Sequence, residues 1–412
     1  MFGIARLENP IRNYAWGSRT AIAQLLGEAL PSEQPQAELW MGAHPEAPSR
    51  ALWSGETLPL PELIRRDPAG VLGSRVAERF RGELPFLFKV LAAEEPLSLQ
   101  AHPDARQAEE GFARENASGL APGAPERSYR DPCHKPELLC ALTPFDALKG
   151  FRSIGTALDL LDRAGLSGLD PELRALRSQP TRAGLRRFFQ GLLTLARERR
   201  ERVVAEAAGR ASELRDADPA FEWVRVLHRH YPQDLGILAP LLLNLVHLEP
   251  GQALFLPAGE LHSYLRGVGI EIMANSDNVL RGGLTPKHVD LPELLRVLSF
   301  VDGEARILLP RPAREGEEVY ETPAREFALS VIRTRESQDY WSPPERSVEI
   351  LICTEGSCQV SEKGGGGELQ LAQGNAVLVP ASVGCYRLAG CATLYKASVP
   401  PESKLPARAG GV

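Results

Sequence analysis

The stretch Gly251-Gln-Ala-Leu-Phe-Leu-Pro-Ala-Gly-Glu-Leu-His262 reads as a turn glycine, a short buried strand and a Pro-Ala-Gly turn that presents a histidine. A near copy, Gly374-Asn-Ala-Val-Leu-Val-Pro-Ala-Ser-Val-Gly-Cys385, lies 123 residues further on, since 374 − 251 and 385 − 262 give the same offset. Such internal similarity predicts two related β-barrels, each a small jelly roll. In the second copy Cys385 takes the place of the histidine, and no histidine follows His288. Only the first barrel is therefore expected to bind a metal.

Working outward from His262, two further patterns offer ligands from strand-like sequence. They are Leu97-Ser-Leu-Gln-Ala-His-Pro-Asp104 and His134-Lys-Pro-Glu137. Successive strand side chains alternate faces, so Gln100 and His102 share one face about 6.6 Å apart, two residues at roughly 3.3 Å each. The same period places Lys135 beside Glu137 and Tyr264 beside His262. Asp104 reads as an N-cap with Gln107 at the capping-box position, so the ligand strand runs into an anchored helix. Leu84-Pro-Phe-Leu-Phe-Lys-Val-Leu91 reads as a buried strand leading toward the ligand pair. The stretch from Gly111 to Asp131 reads as turn-like, and serves either as a lid or as a plain surface excursion.

Between Ser153 and Leu245 the period changes. Leu185, Phe188, Phe189, Leu192 and Ala196 follow helical spacing with arginines on the remaining positions, and Phe221 begins a second such pattern. The arginine run reads as a solvated face, and His228 and His230 as surface residues. The fold expected is mainly β with an inserted α-helical domain. Its parts are 1–150, the first portion of a metal-binding barrel; 151–240, the helical insert; 241–315, the rest of that barrel; and 316–412, a barrel without metal.

Composition narrows the function. The 412 residues are 43% hydrophobic with a net charge of −6, and basic residues are scattered among acidic ones. No broad cationic face for nucleic acid or anionic lipid is implied. The N-terminus lacks a signal-peptide apolar core and no segment is long enough to span a membrane, so the expected compartment is the cytoplasm. Six scattered cysteines without a paired Cys-x-x-Cys fit reduced thiols.

Two neutral imidazoles, one carboxylate and one amide oxygen leave a divalent ion with a net charge of about +1, an open Lewis acid. Mixed nitrogen and oxygen ligands suit zinc, and they also admit manganese, cobalt or ferrous iron. One Zn2+ per chain is the expectation.

Five blocks carry a resemblance: Asn13-Tyr-Ala-Trp-Gly17, Ala37-Glu-Leu-Trp-Met-Gly-Ala-His-Pro45, Lys89 through Pro103, Asp131-Pro-Cys-His-Lys-Pro-Glu137, and Asn275-Ser-Asp-Asn-Val-Leu-Arg-Gly-Gly-Leu-Thr-Pro-Lys287. In combination and order they resemble the type I phosphomannose isomerases of the cupin superfamily. They cover most of residues 8–150 and 240–300; the helical insert and the C-terminal third match in layout. The resemblance implies a zinc enzyme interconverting mannose 6-phosphate and fructose 6-phosphate, with zinc on Gln100, His102, Glu137 and His262 and a catalytic arginine at Arg281.

Aldose-to-ketose conversion requires ring opening, removal of the C2 proton, a cis-enediol(ate) and return of a proton at C1. Arg281 offers a fixed cationic fork for the developing oxyanion. Lys135 is the expected base, since it shares a face with Glu137, and His134 is a candidate for ring opening although strict alternation points it away. Ser98, Lys89 and Lys287 are phosphate candidates. Tyr264, Trp16, Glu38 and His44 are candidates for contacting the sugar, and Glu271 and Asp277 for binding its hydroxyls or orienting Arg281. The partner expected is a small sugar phosphate, with no nucleic acid or membrane, bound by a monomer. Two other classes fit a cupin with these ligands: a ferrous-iron oxygenase and a sugar-phosphate-binding module without turnover.

Overall fold

The computed structural model describes residues 3–53, 55–365 and 367–401. Two antiparallel sheet systems carry the chain, with helices between and around them. The first runs Leu243–Leu248, Phe145–Phe151, His262–Ala274, Phe86–Ala93, Glu38–Gly42 and Ile11–Arg12, with Leu99–Ala101, Glu137–Ala141, Ala253–Leu256 and Leu280–Gly283 attached. Its organising element is the long strand His262–Ala274. Its first residues pair with Leu99–Ala101 and Phe145–Phe151, and its later ones with Phe86–Ala93 and Glu137–Ala141. Every residue of Phe86–Ala93 is buried, as the expected strand leading to the ligands requires.

The internal repeat reappears as matching strands. Ala253–Leu256 and Ala376–Val379 hold equivalent places 123 residues apart, and each precedes a thirteen-residue strand, His262–Ala274 or Tyr386–Ser398. The second sheet system is built on Tyr386–Ser398 and Glu349–Glu362, and it also takes in Ala5–Glu8, Arg50–Trp53 and Glu56–Pro59 from the start of the chain. One apolar core joins the two systems, with Phe88, Ile270 and Ile272 packed in the same cluster as Ile350 and Leu378.

Residues 154–242 are helical, as their period implies. Helix Arg182–Leu193 buries Leu185, Phe188, Phe189 and Leu192; Ala196 lies beyond its end, where Ala196 flanks the start of helix Arg197–Leu214. The capping box is formed, with Asp104 accepting from Gln107 N–H and the Gln107 side chain accepting from Asp104 N–H. That helix runs Ala105–Ala117, so the irregular stretch begins later than Gly111. The buried Glu115 carboxylate accepts from Ser128 and Tyr129 N–H and ties the helix to the returning chain. A Cβ at Gly111 would lie 2.5 Å from the Tyr129 ring, so only glycine lets the ring sit there. The signal missed in the sequence is this tertiary anchor.

Candidate metal centre

The site is laid out by strand register. Gln100 faces His262 on one side and Arg281 on the other. Directly opposite residues share a face, so the three side chains form a row, while Leu99 and Ala101 enter the core behind it. His102 follows the same strand two residues on, and Glu137 opens the strand Glu137–Ala141.

His102 Nε2 lies 3.3 Å from Glu137 Oε1, and His262 Nε2 lies 3.4 Å from Glu137 Oε2. The three residues offer ligand atoms within 4.8 Å of one another, and all are at most 2% exposed. Both Nε2 atoms and Glu137 Oε2 are buried without a hydrogen-bond partner. The far nitrogens are held: His102 Nδ1 meets Asn278 O at 2.7 Å, and His262 Nδ1 meets Glu260 O at 3.0 Å. A carbonyl only accepts, so each Nδ1 donates and each Nε2 keeps its lone pair. Burial pushes the His102 pKa down to about 4, which keeps that ring neutral at pH 7. Burial works against the Glu137 charge, but the Lys135 ammonium beside it prevails and holds its carboxyl well below the usual range. Buried acceptors that converge without donors fit a cation.

Lys135 Nζ stands 3.2 Å from Glu137 Oε1, as its place beside that carboxylate predicts. Lys89, Glu271, Tyr264 and Glu38 form one buried network. Lys89 Nζ reaches Glu271 at 3.0 Å and Glu38 at 3.5 Å, the Tyr264 hydroxyl donates to Glu271 at 3.0 Å, and Trp40 Nε1 donates to Glu38 at 2.6 Å. Burial opposes the Lys89 charge, yet Glu271 and Glu38 hold its pKa above the ordinary value. Burial raises the Glu271 carboxyl, and Glu137 and Glu38 add to that against the pull of Lys89. Arg281 is partly buried, and burial followed by Arg130 lowers its pKa; burial, Arg281 and Arg130 do the same to Lys287. These three cations share one local field, suited to a compact anion.

The remaining candidates are placed as follows. His44 Nε2 donates toward Asp277 at 3.3 Å. Trp16 packs half-buried against the core that contains Tyr264, and Ser98 is half-buried just before the ligand strand. His134 turns away from the cluster, its Nε2 3.0 Å from Glu326. Strict alternation anticipates that direction. Sequence reasoning passed over Asn278. Its side chain accepts from Arg130 and Asp131 N–H and donates to the Asp131 and Cys133 carbonyls, while its own carbonyl orients His102.

Comparison with known proteins agrees with this geometry. Residues 4–154 match the family model of the type I phosphomannose isomerase catalytic domain. The chain is 43% identical over 379 residues to mannose-6-phosphate isomerase of Escherichia coli (strain K12), covering 92% of this chain and 95% of that one. The chain belongs to the mannose-6-phosphate isomerase family. The human mannose-6-phosphate isomerase is 35% identical over 354 residues, which is 77% of this chain and 79% of the relative. A crystal structure of a variant phosphomannose isomerase from Salmonella typhimurium superposes with a TM-score of 0.91 at 39% identity, over 97% of this chain and all of that one. A zinc-bound mannose 6-phosphate isomerase superposes with a TM-score of 0.90 at 39% identity and the same coverage. Among the described residues no helix is long and apolar enough to cross a membrane.

Proposed function

We propose that this chain is a zinc-dependent aldose–ketose isomerase that interconverts mannose 6-phosphate and fructose 6-phosphate. The observation that carries the reading is the convergence of His102 Nε2, His262 Nε2 and Glu137 Oε2, three buried acceptors without a hydrogen-bond partner. Zinc would be held by these three residues with Gln100, which register places beside His262. When bound, the ion would supply a Lewis acid able to polarise substrate oxygens.

The protein residues supply the rest. Lys135 takes the proton from C2 and returns it to C1, while a second proton passes from the C2 hydroxyl to the C1 oxygen, so aldose and ketose differ by no atom. Arg281 steadies the negative charge of the cis-enediolate, its place fixed by pairing with Gln100. Of the phosphate candidates, Lys287 is favoured because it is exposed and shares its field with Arg281 and Arg130, whereas Lys89 already faces two carboxylates. Ser98 falls on the Gln100 face by alternation. Trp16, Glu38, His44, Tyr264, Glu271 and Asp277 are assigned to the sugar.

The same reading keeps two jelly rolls, the first interrupted by the helical insert at 151–240, and a monomer acting in the cytoplasm. The matching thirteen-residue strands support the two-roll architecture. The test is a coupled assay with mannose 6-phosphate before chelation, after it, and after zinc add-back. Loss and recovery of turnover support the reading. Oxygen uptake by the ferrous form, or sugar-phosphate binding by the zinc form without turnover, would replace it with an oxygenase or a binding module.

A further inference from the structure

The row of site residues has a fourth member. Strand Phe145–Phe151 pairs with His262–Ala274, and Lys149 stands directly opposite His262. Lys149, His262, Gln100 and Arg281 therefore share one face across four strands. Lys149 is 7% exposed, and burying an ammonium is costly unless it is paired. Its partner is Glu260, Nζ to Oε2 at 3.4 Å, an ionic contact and not a hydrogen bond, which leaves Lys149 as the charge that offsets this buried oxygen.

Glu260 is also the residue whose carbonyl accepts the His262 Nδ1 proton. The turn that contains it touches both histidines, because the neighbouring Gly259 N–H donates to His102 O at 2.8 Å. From the other side, Gly150 N–H donates to Leu261 O at 2.8 Å. A Cβ at Gly150 would come within 2.8 Å of Glu260 Oε1, and Gly150 has φ +61°, so the backbone beside Lys149 is shaped around that carboxylate. The ion pair thus anchors the turn at the one residue that sets the direction of His262.

We propose that the Lys149–Glu260 pair is a positioning device for His262: it holds the Glu260 carbonyl in place, and so fixes the tautomer of the ring and aims Nε2 at the ion. The inference rests on the metal reading above. Backbone acceptors behind metal-binding imidazoles set both ring orientation and basicity. Lys149 acts through Glu260 and His262 and touches no substrate.

The test uses the full chain as Lys149→Met, Glu260→Gln, the double variant and Lys149→Arg. Zinc affinity is measured by competition with a chromophoric chelator, the visible spectrum is taken with cobalt, and unfolding temperatures are recorded without metal. Each single loss is expected to weaken zinc binding by about 10–100-fold and to shift the cobalt bands. The double variant is expected to be no worse than the weaker single, and Lys149→Arg to stay close to the parent. Glu260→Gln keeps the shape of the turn and decides the matter if Lys149→Met folds poorly. Unchanged zinc affinity and cobalt spectrum in Glu260→Gln overturn the proposal whatever the unfolding temperature does, and so do losses that add fully in the double variant. A parent protein that binds neither zinc nor cobalt overturns the metal reading itself, and the proposal with it.

Discussion

Nε2 of His102 faces Oε1 of Glu137 across 3.3 Å, and the proton on that ring sits on the other nitrogen, donated to Asn278 O. Two acceptors confront each other in a buried space, and Lys135 Nζ, 3.2 Å from the same carboxylate oxygen, offsets only part of that cost, leaving Oε2 and both Nε2 atoms to a bound ion. Glu137→Gln places an amide N–H where it can donate to Nε2 and removes the charge that offsets a divalent ion. Zinc affinity is expected to fall by more than the roughly 10–100-fold typical of losing an outer-shell group. Because the buried Lys135 ammonium loses its carboxylate partner, the metal-free variant should unfold earlier than the metal-free parent. Chelator competition and thermal unfolding check the two halves, and a variant that keeps parental zinc affinity removes Glu137 from the ligand set.

Arg281 reaches the site only through its register with Gln100, and neither its chain nor its charge is needed to hold the histidines. Arg281→Ala is therefore expected to keep its zinc while turnover falls by about 100–1,000-fold, the usual cost of one oxyanion donor. Metal analysis alongside kcat decides it; parental turnover would take Arg281 out of the mechanism. Gln100→Ala is expected to show the reverse order, with metal lost before catalysis per bound zinc.

Asn278 is wholly buried, and its amide binds the chain at Arg130, Asp131 and Cys133, just ahead of Lys135 and Glu137. Asn278→Ala strands those backbone groups, each costing about 1–3 kcal/mol if water cannot reach it. The unfolding temperature should drop, and zinc affinity with it, because the carbonyl that orients His102 sits on the same residue. A variant with lowered stability but parental zinc affinity would confine Asn278 to holding the fold.

What the sequence discloses and what it hides separate along physical lines. Gln100 and His102 are two apart, as are Lys135 and Glu137, so period two predicts their shared faces without any partner strand, although only Gln100 and Glu137 lie within strands. The strands Ala253–Leu256 and Ala376–Val379 announce themselves as a repeat. By contrast, Lys149 becomes a neighbour of His262 only through pairing across 113 residues, and Asn278 meets His102 across 176. Neither local period nor composition carries a register. The same holds for Ala5–Glu8, whose sequence does not reveal that its pairing partner is Ala376–Val379.

The second sheet system carries a buried charged network in its interior. Lys396 Nζ lies 2.7 Å from Glu317 and 3.2 Å from Glu349, while Tyr340 and Tyr386 donate to those carboxylates at 2.7 and 2.8 Å. Burial opposes the Glu317 charge, but Lys396 and its hydrogen bonds prevail and hold its pKa below the ordinary 4.5. Its contribution is thus fully present above pH 4.5 and lost as pH falls through the folded value. Lys396 is held above its ordinary 10.5 by Glu349, Tyr340 and Glu317 against burial, so its contribution is fully present below pH 10.5 and lost as pH rises through the folded value. Lys396→Met leaves two buried carboxylates facing each other and should cost about 3–5 kcal/mol at pH 7. Without the ammonium those carboxyls can be relieved by protons, so the gap in unfolding temperature between parent and variant should narrow from pH 7 to pH 5. Thermal unfolding of both proteins at the two pH values checks this, and a gap that does not change with pH would mean that lost packing, not stranded charge, explains the destabilisation.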